Sequence, residues 1–184
     1  MSKAFTREND DAPEPESTPR PRAASLPPGT RNYVTADGAA AFRKELDHLT
    51  QEERPRWVGA ADPESRARLE AVESRIRELD RILRTAVVPR PPPAQDDRVR
   101  FGAWVVVVDG DGTRSRYRIV GVDEADPDRG WISWISPLAR ALIGSRVGDR
   151  VPVQTPEGEA TVELLEIGQA GSTAEVRKNE GRTR

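Results

Sequence analysis

The stretch DPESRARLEAVESRIRELDRILRTA, residues 62–86, decides the architecture of the first half of the chain. Asp62 stands where a helix N-cap is needed, Pro63 takes the first helical position, and Glu64 adds negative charge beside the positive end of the helix dipole. Leu69, Val72, Ile76, Leu79, Leu83 and Ala86 then recur in alternating steps of three and four, which puts them on one seam of a long helix. Upstream, Thr35 is a second N-cap candidate, followed by Phe42, Leu46 and Leu49 at i, i+4 and i+7. That face weakens through Glu53 toward Trp57 and Ala60, and Pro55 is expected to kink the helix or shift its register. Only a few residues around Ala60, Ala61 and Asp62 separate the two helices. A turn that short makes them antiparallel neighbours, an αα-hairpin or two-stranded coiled coil over residues 33–88.

Downstream the periodicity changes. Pro89, Pro91, Pro92 and Pro93 make residues 89–96 a stiff spacer. Residues 97–167 then read mostly as strand. Val99–Val108 is β-rich, Asp109-Gly110-Asp111-Gly112 signals a hairpin turn into Arg114–Val120, and Gly130–Trp134 is a third short strand. Ser136-Pro137 opens a short helix that ends at Gly144. Val151–Gln154 and Ala160–Ile167 flank a turn at Thr155-Pro156-Glu157-Gly158. The predicted class is α+β: a helical hairpin, then a small antiparallel-sheet domain carrying one short helix.

Of the 184 residues, 29 are basic and 31 acidic, with one His and no Cys. Residues 1–32 are rich in proline and charge, residues 168–184 are largely polar, and both are expected to be disordered tails. The absence of Cys removes disulfides, thiolate catalysis and cysteine zinc sites, and His48 alone cannot supply a His-pair metal site or a Ser-His-Asp triad. No run approaches the ~18 apolar residues of a membrane span, and the N-terminus turns acidic before any apolar segment, so the reading is a cytoplasmic monomer.

The order of parts, and the residues themselves, resemble the Gre family of bacterial transcript-cleavage factors. Val34-Thr35-Ala36-Asp37-Gly38 is similar to the family's helix-opening V-T-x-x-G, and Glu52-Glu53-Arg54-Pro55 to the E-E-R-P of GreB-type members. Phe101-Gly102-Ala103-Trp104-Val105, Tyr117-Arg118-Ile119-Val120-Gly121 and Asp123-Glu124 resemble the opening of the C-terminal domain. The run Ile135-Ser136-Pro137-Leu138-Ala139-Arg140-Ala141-Leu142-Ile143-Gly144 is the most specific block, followed by Val147-Gly148-Asp149 and Thr155-Pro156-Glu157-Gly158-Glu159-Ala160. The resemblance implies an FKBP-like C-terminal domain that docks at the rim of the RNA polymerase secondary channel, and a coiled coil that enters it. It also implies a tip loop of the form G-D-x-x-E-N, which helps hold a second Mg²⁺ at the polymerase active centre for hydrolysis of backtracked RNA. By that resemblance, Ser136, Pro137, Leu138, Arg140, Ile143, Asp123 and Glu124 are the candidate docking residues.

The acidic loop is missing. Between Pro55 and the second helix stand Arg56-Trp57-Val58-Gly59-Ala60-Ala61-Asp62-Pro63-Glu64-Ser65. Relative to GreB-type sequences, Val34 to Phe101 is short by about 14 residues, or two heptads. One heptad lost from each arm keeps the seam in register and shortens the rod by about 10 Å. Mg²⁺–carboxylate distances of about 2.1 Å cannot absorb that shortfall. The expectation is a polymerase-binding regulator with no active or metal site of its own, which modulates or inhibits rather than promotes cleavage.

Two alternatives stand beside it: a cleavage cofactor donating Asp62 and Glu64 to a shared Mg²⁺, and a stand-alone prolyl isomerase. Asp62 and Glu64 read equally as helix-capping acids. Arg66, Arg68, Arg75 and Arg77 are candidates for facing nascent RNA, or else a solvated face with pairs such as Glu73–Arg77 and Asp80–Arg84. The hairpin's eleven basic and eleven acidic residues over 31–88 favour the solvated face. Trp104, Trp131 and Trp134 are read as core residues before pocket residues. Asp123, Glu124, Asp126 and Asp128 are read as a solvated loop, and His48 as exposed.

Overall fold

A computed structural model describes residues 26–59, 61–93, 96–155 and 158–168, so most of both expected tails lies outside it. Two short parallel strands, β1 (Asn32–Tyr33) and β2 (Ala86–Val87), tie the base of the hairpin together. Between them run α1 (Ala36–His48) and, after a π-helical turn at Leu49–Glu53, α2 (Arg54–Trp57), then α3 (Pro63–Thr85). The caps fall where the sequence places them. Thr35 Oγ1 accepts from the Gly38 N–H at 3.0 Å, and Asp62 Oδ1 from the Ser65 N–H at 2.8 Å. Pro55 does shift the register. It cannot donate to the helix ladder, and the turn before it widens, with the Arg54 N–H bonding Leu49 O five residues back.

The hairpin core is concentrated at its base. Val34, Ala39, Phe42, Leu79 and Ile82 are buried there, with Leu46, Leu49, Leu83 and Ala86 packed around them. Leu69, Val72 and Ile76, nearer the tip, are only half-buried, because two helices alone cannot close around a seam. Ile82, absent from the seam read in the sequence, is buried instead of Leu83, since the face broadens where the hairpin meets Val34.

The second unit is a five-stranded sheet in the order β5-β4-β3-β7-β6, made of β3 (Trp104–Val108), β4 (Arg114–Val120), β5 (Trp131–Ser133), β6 (Arg150–Thr155) and β7 (Gly158–Gly168). The expected antiparallel sheet is in fact mixed: β5 runs parallel to β4. No hairpin joins those two. Instead 3₁₀ turns at Val122–Glu124 and Pro127–Arg129 carry the chain back before Trp131. Asp109 makes the β3–β4 turn, its Oδ1 accepting from the N–H groups of Asp111 and Thr113 at 3.0 and 2.9 Å. The helix α4 (Pro137–Leu142), capped by Ser136 Oγ on the Ala139 N–H at 3.2 Å, lays Ala139 and Leu142 onto the sheet face formed by Val105, Val107, Ile119 and Leu164. No described helix is long and apolar enough to cross a membrane.

Candidate functional site: the finger tip and the docking face

The tip forms because α2 ends at Val58, whose backbone turns extended, and Gly59 takes a φ of 86° that a side chain would disfavour. Its two acids are already engaged. Asp62 caps α3, and the Ser65 N–H holds its carboxyl below the ordinary value of 3.8. Glu64 pairs with Arg68 at 2.7 Å, and Arg68 also lies 5.2 Å over the Trp57 ring. Among the described residues, no group of three His, Asp or Glu converges on a point that could hold a metal ion. These residues therefore do not fit a Mg²⁺ site by themselves: a hard cation takes about six oxygens, and here only a cap-engaged Asp62 and a guanidinium-paired Glu64 are on offer. Because folding lowers the Asp62 pKa, its cap stabilises the helix start above the ordinary value and is lost as pH falls through the lowered one. NMR titration is expected to find the Asp62 carboxyl midpoint below 3.8 in wild type and shifted up toward that value in Ser65→Pro, which lacks both the N–H and the hydroxyl.

The arginines along α3 are mostly occupied. Arg75 grips Glu45 with two bonds of 2.7 and 3.0 Å and Glu78 with a third of 2.8 Å, which raises its pKa further. Arg66 donates to the Ala61 carbonyl at 2.6 Å. Glu73 pairs with Arg54 across the hairpin at 3.1 Å rather than with Arg77, whereas the expected Asp80–Arg84 pair forms at 2.9 Å. Arg77 is exposed and has no ion pair among the described residues.

In the sheet domain, Pro137 and Leu138 line a mainly apolar cavity of about 630 Å³ together with Val107, Tyr117, Ile132 and Val153. Ser136 lines it as well as capping α4. Arg140 is exposed, and Ile143 is 37% exposed at the end of α4. None of the three tryptophans lines this cavity. Trp134 packs on the core with its ring edge-on to Tyr33, centroids 5.3 Å apart. Trp104 and Trp131 are half-buried on the opposite sheet face, where they flank Arg118 across three strands. Arg116 and Arg129 lie over their rings at 4.2 and 3.8 Å. For these two the core reading is corrected: they anchor an arginine–indole stack, which keeps a large apolar ring at a partly wet surface.

The solvated-loop reading of Asp123 and Glu124 is corrected too. Glu124 is 8% exposed and accepts from the Thr35 N–H at 2.8 Å, the Gly121 N–H at 3.0 Å and the Thr35 hydroxyl. Asp123, its side chain 15% exposed, accepts from Asn32 Nδ2 at 3.2 Å and pairs with Arg81 at 3.6 Å. His48 is half-exposed, with Nδ1 3.3 Å from Glu52.

A family model described as "Transcription elongation factor, GreA/GreB, C-term" matches residues 94–169. GreB of Yersinia pestis is 41% identical over 150 residues, covering 74% of this chain and 88% of that protein. GreB of Neisseria meningitidis serogroup A is 39% identical over 153 residues, covering 75% and 94%.

The chain belongs to the GreA/GreB family of transcription elongation factors.

The alignment with the Yersinia GreB places 74% of 184 residues, about 136, against 150 positions, so about 14 positions of that relative face no residue here. Among solved structures, the GreA factor homolog 1 of Thermus thermophilus is 24% identical, with a TM-score of 0.36 over 75% of this chain and 99% of that one. Within this GreA/GreB-family chain, the contacts not foreseen were Thr35–Glu124 and the 2.6 Å Asp37–Arg118 pair. Two glycines were the available signal. A Cβ on Gly38 would lie 1.9 Å from Glu124 Oε1, and one on Gly121 would lie 2.3 Å from the Tyr33 carbonyl.

Proposed function

We propose that this chain docks at the rim of the bacterial RNA polymerase secondary channel through its sheet domain. In this reading it inserts a shortened helical finger and modulates or inhibits elongation without efficient transcript cleavage. The observation that carries the proposal is the tip: a first arm of 13, 5 and 4 helical residues ends in Trp57, Val58 and Gly59, with its nearest acids spent on a cap and a salt bridge. At 1.5 Å per residue that arm reaches about 33 Å. About 14 unmatched positions against GreB relatives agree with a finger one heptad shorter in each arm.

Docking rests on Ser136, Pro137, Leu138, Arg140 and Ile143: the first three line an apolar cavity, and Arg140 is an exposed cation on the same short helix. That combination supports an anchor side chain together with a charge contact. Glu124 is withdrawn from this set because its carboxylate is spent inside the chain, and Asp123 belongs with it. The test is polymerase binding by Arg140→Glu combined with Ile143→Asp. Both positions are accessible, so the fold is retained, and affinity is expected to fall at least tenfold, about 1.4 kcal/mol. Unchanged affinity would move the docking surface elsewhere.

One observation favours a second reading. Asp62 and Glu64 both stand exposed at the tip, so a cofactor role toward a polymerase-bound Mg²⁺ is the competing proposal. Contact of Arg77 with nascent RNA is compatible with either.

A further inference from the structure

We propose that Glu124 is a positioning residue: from the sheet domain it grips Thr35, the cap of the finger's first helix, and thereby sets the direction in which the finger points. The proposal builds on the reading above, which needs a tip delivered to a fixed place, but it concerns this chain alone.

The geometry is a clamp made by two consecutive residues of one 3₁₀ turn. Glu124 takes the start of α1. Both its oxygens face Thr35, one on the N–H at 2.8 Å and one on the hydroxyl, while that hydroxyl accepts from the Gly38 N–H at 3.0 Å. The carboxylate is thus the end of a donor relay at the positive end of α1. Its other contact, the Gly121 N–H at 3.0 Å, fixes it to its own turn. Asp123 takes the end of α3: it pairs with Arg81 at 3.6 Å and accepts from Asn32, whose amide also bonds Thr85 Oγ1 at 3.1 Å. One turn therefore holds the first residues of one helix and the last residues of the other. Asp37–Arg118, at 2.6 Å, adds a third tie between α1 and β4.

The backbone is cut to this contact. The space that a Cβ on Gly38 would need is filled by the Glu124 carboxylate, and the space beside Gly121 by the Tyr33 carbonyl. Such close approach is not required for either helix or sheet to form; it serves only their junction. The lever arm makes the junction matter. Over a rod of about 33 Å, a 10° error in bearing displaces the tip by about 6 Å, roughly three times a Mg²⁺–oxygen distance and twice a hydrogen-bond distance.

The test uses the full chain, which has no native Cys, with spin labels at Ala61→Cys on the tip and Asp111→Cys on the β3–β4 turn. Pulsed electron resonance reads the tip-to-sheet distance distribution without polymerase. The otherwise wild-type chain is expected to give one narrow distribution. Glu124→Ala is expected to widen it at least twofold while helical and near-ultraviolet circular dichroism stay unchanged, and Thr35→Ser, which keeps the hydroxyl, to restore the wild-type width seen to fail in Thr35→Val. Gly38→Ala reaches the same end with Glu124 intact, because its methyl displaces the carboxylate, and it decides the matter alone if Glu124→Ala does not fold. Distributions for Glu124→Ala and Gly38→Ala that match wild type, or a wild-type distribution already as broad as theirs, overturn the proposal. On polymerase, Glu124→Ala is expected to bind within twofold of wild type while its effect on elongation drops. Loss of binding itself would instead count against the clamp as a positioning device.

Discussion

Added to backtracked elongation complexes, this protein is expected to release 3′ RNA fragments no faster than polymerase alone, and Asp62→Ala with Glu64→Ala to leave that background unchanged. The reason is reach combined with chemistry. In the proposed reading the rod is one heptad shorter in each arm and ends about 10 Å early, a distance that rotamers cannot make up. Its end offers an Asp62 carboxylate engaged at the start of α3 and a Glu64 already bound to Arg68. The corresponding gain of function is larger still. Seven residues inserted into each arm keep the seam in register, and replacing Gly59–Glu64 with an acidic loop supplies free carboxylates. Cleavage is then expected to rise by two orders of magnitude or more, within the ~10²–10⁴ range of a positioned catalytic group. An extended finger that still fails to stimulate cleavage would show that length is not what withholds the activity. Rapid cleavage by the native chain, abolished by the double alanine variant, would establish the cofactor reading instead.

Leu79→Ala is expected to have the largest effect on stability. Leu79 is fully buried at the base of the hairpin, against Val34, Ala39, Phe42 and Ile82. Truncating such a residue costs about 2–5 kcal/mol, the transfer term plus the cavity left behind. In a chain of this size that is a fall of about 5–15 °C in the thermal midpoint, read by helical circular dichroism. Leu69 lies on the same seam but is half-exposed and near the tip, so the loss in Leu69→Ala is expected to be less than half as large. Equal costs at the two sites would contradict a core gathered at the base.

What the sequence disclosed and what it hid divide along a physical line. Thr35, Asp62 and Ser136 announce helix starts because a cap needs only residues within one turn, and all three side chains cap as read. The seam from Leu69 to Leu79 and the Asp109 turn are local in the same sense. The misses have distant partners. Ile82 is buried because β1 and Val34 close over the base, so a purely helical period chooses Leu83 instead. Glu124 looked solvated among neighbouring acids, yet two of its three donors belong to Thr35, 89 residues upstream. Trp104 and Trp131 carry the apolar size of core residues, but the arginines on β4 and in the turn before β5 cover their rings and leave them half-exposed. The parallel entry of β5 depends on two 3₁₀ turns too short to show in any periodicity. At the tip the sequence was most direct, since the absence of an acidic loop is visible residue by residue.

The distance from the Asp62 and Glu64 carboxylates to the catalytic magnesium, measured by cryo-electron microscopy of the protein bound to polymerase, tests the central claim most directly. The shortened finger predicts a gap several times the ~2.1 Å of a magnesium–oxygen bond, filled by water or by polymerase residues. Either carboxylate found at bonding distance from that ion would contradict it.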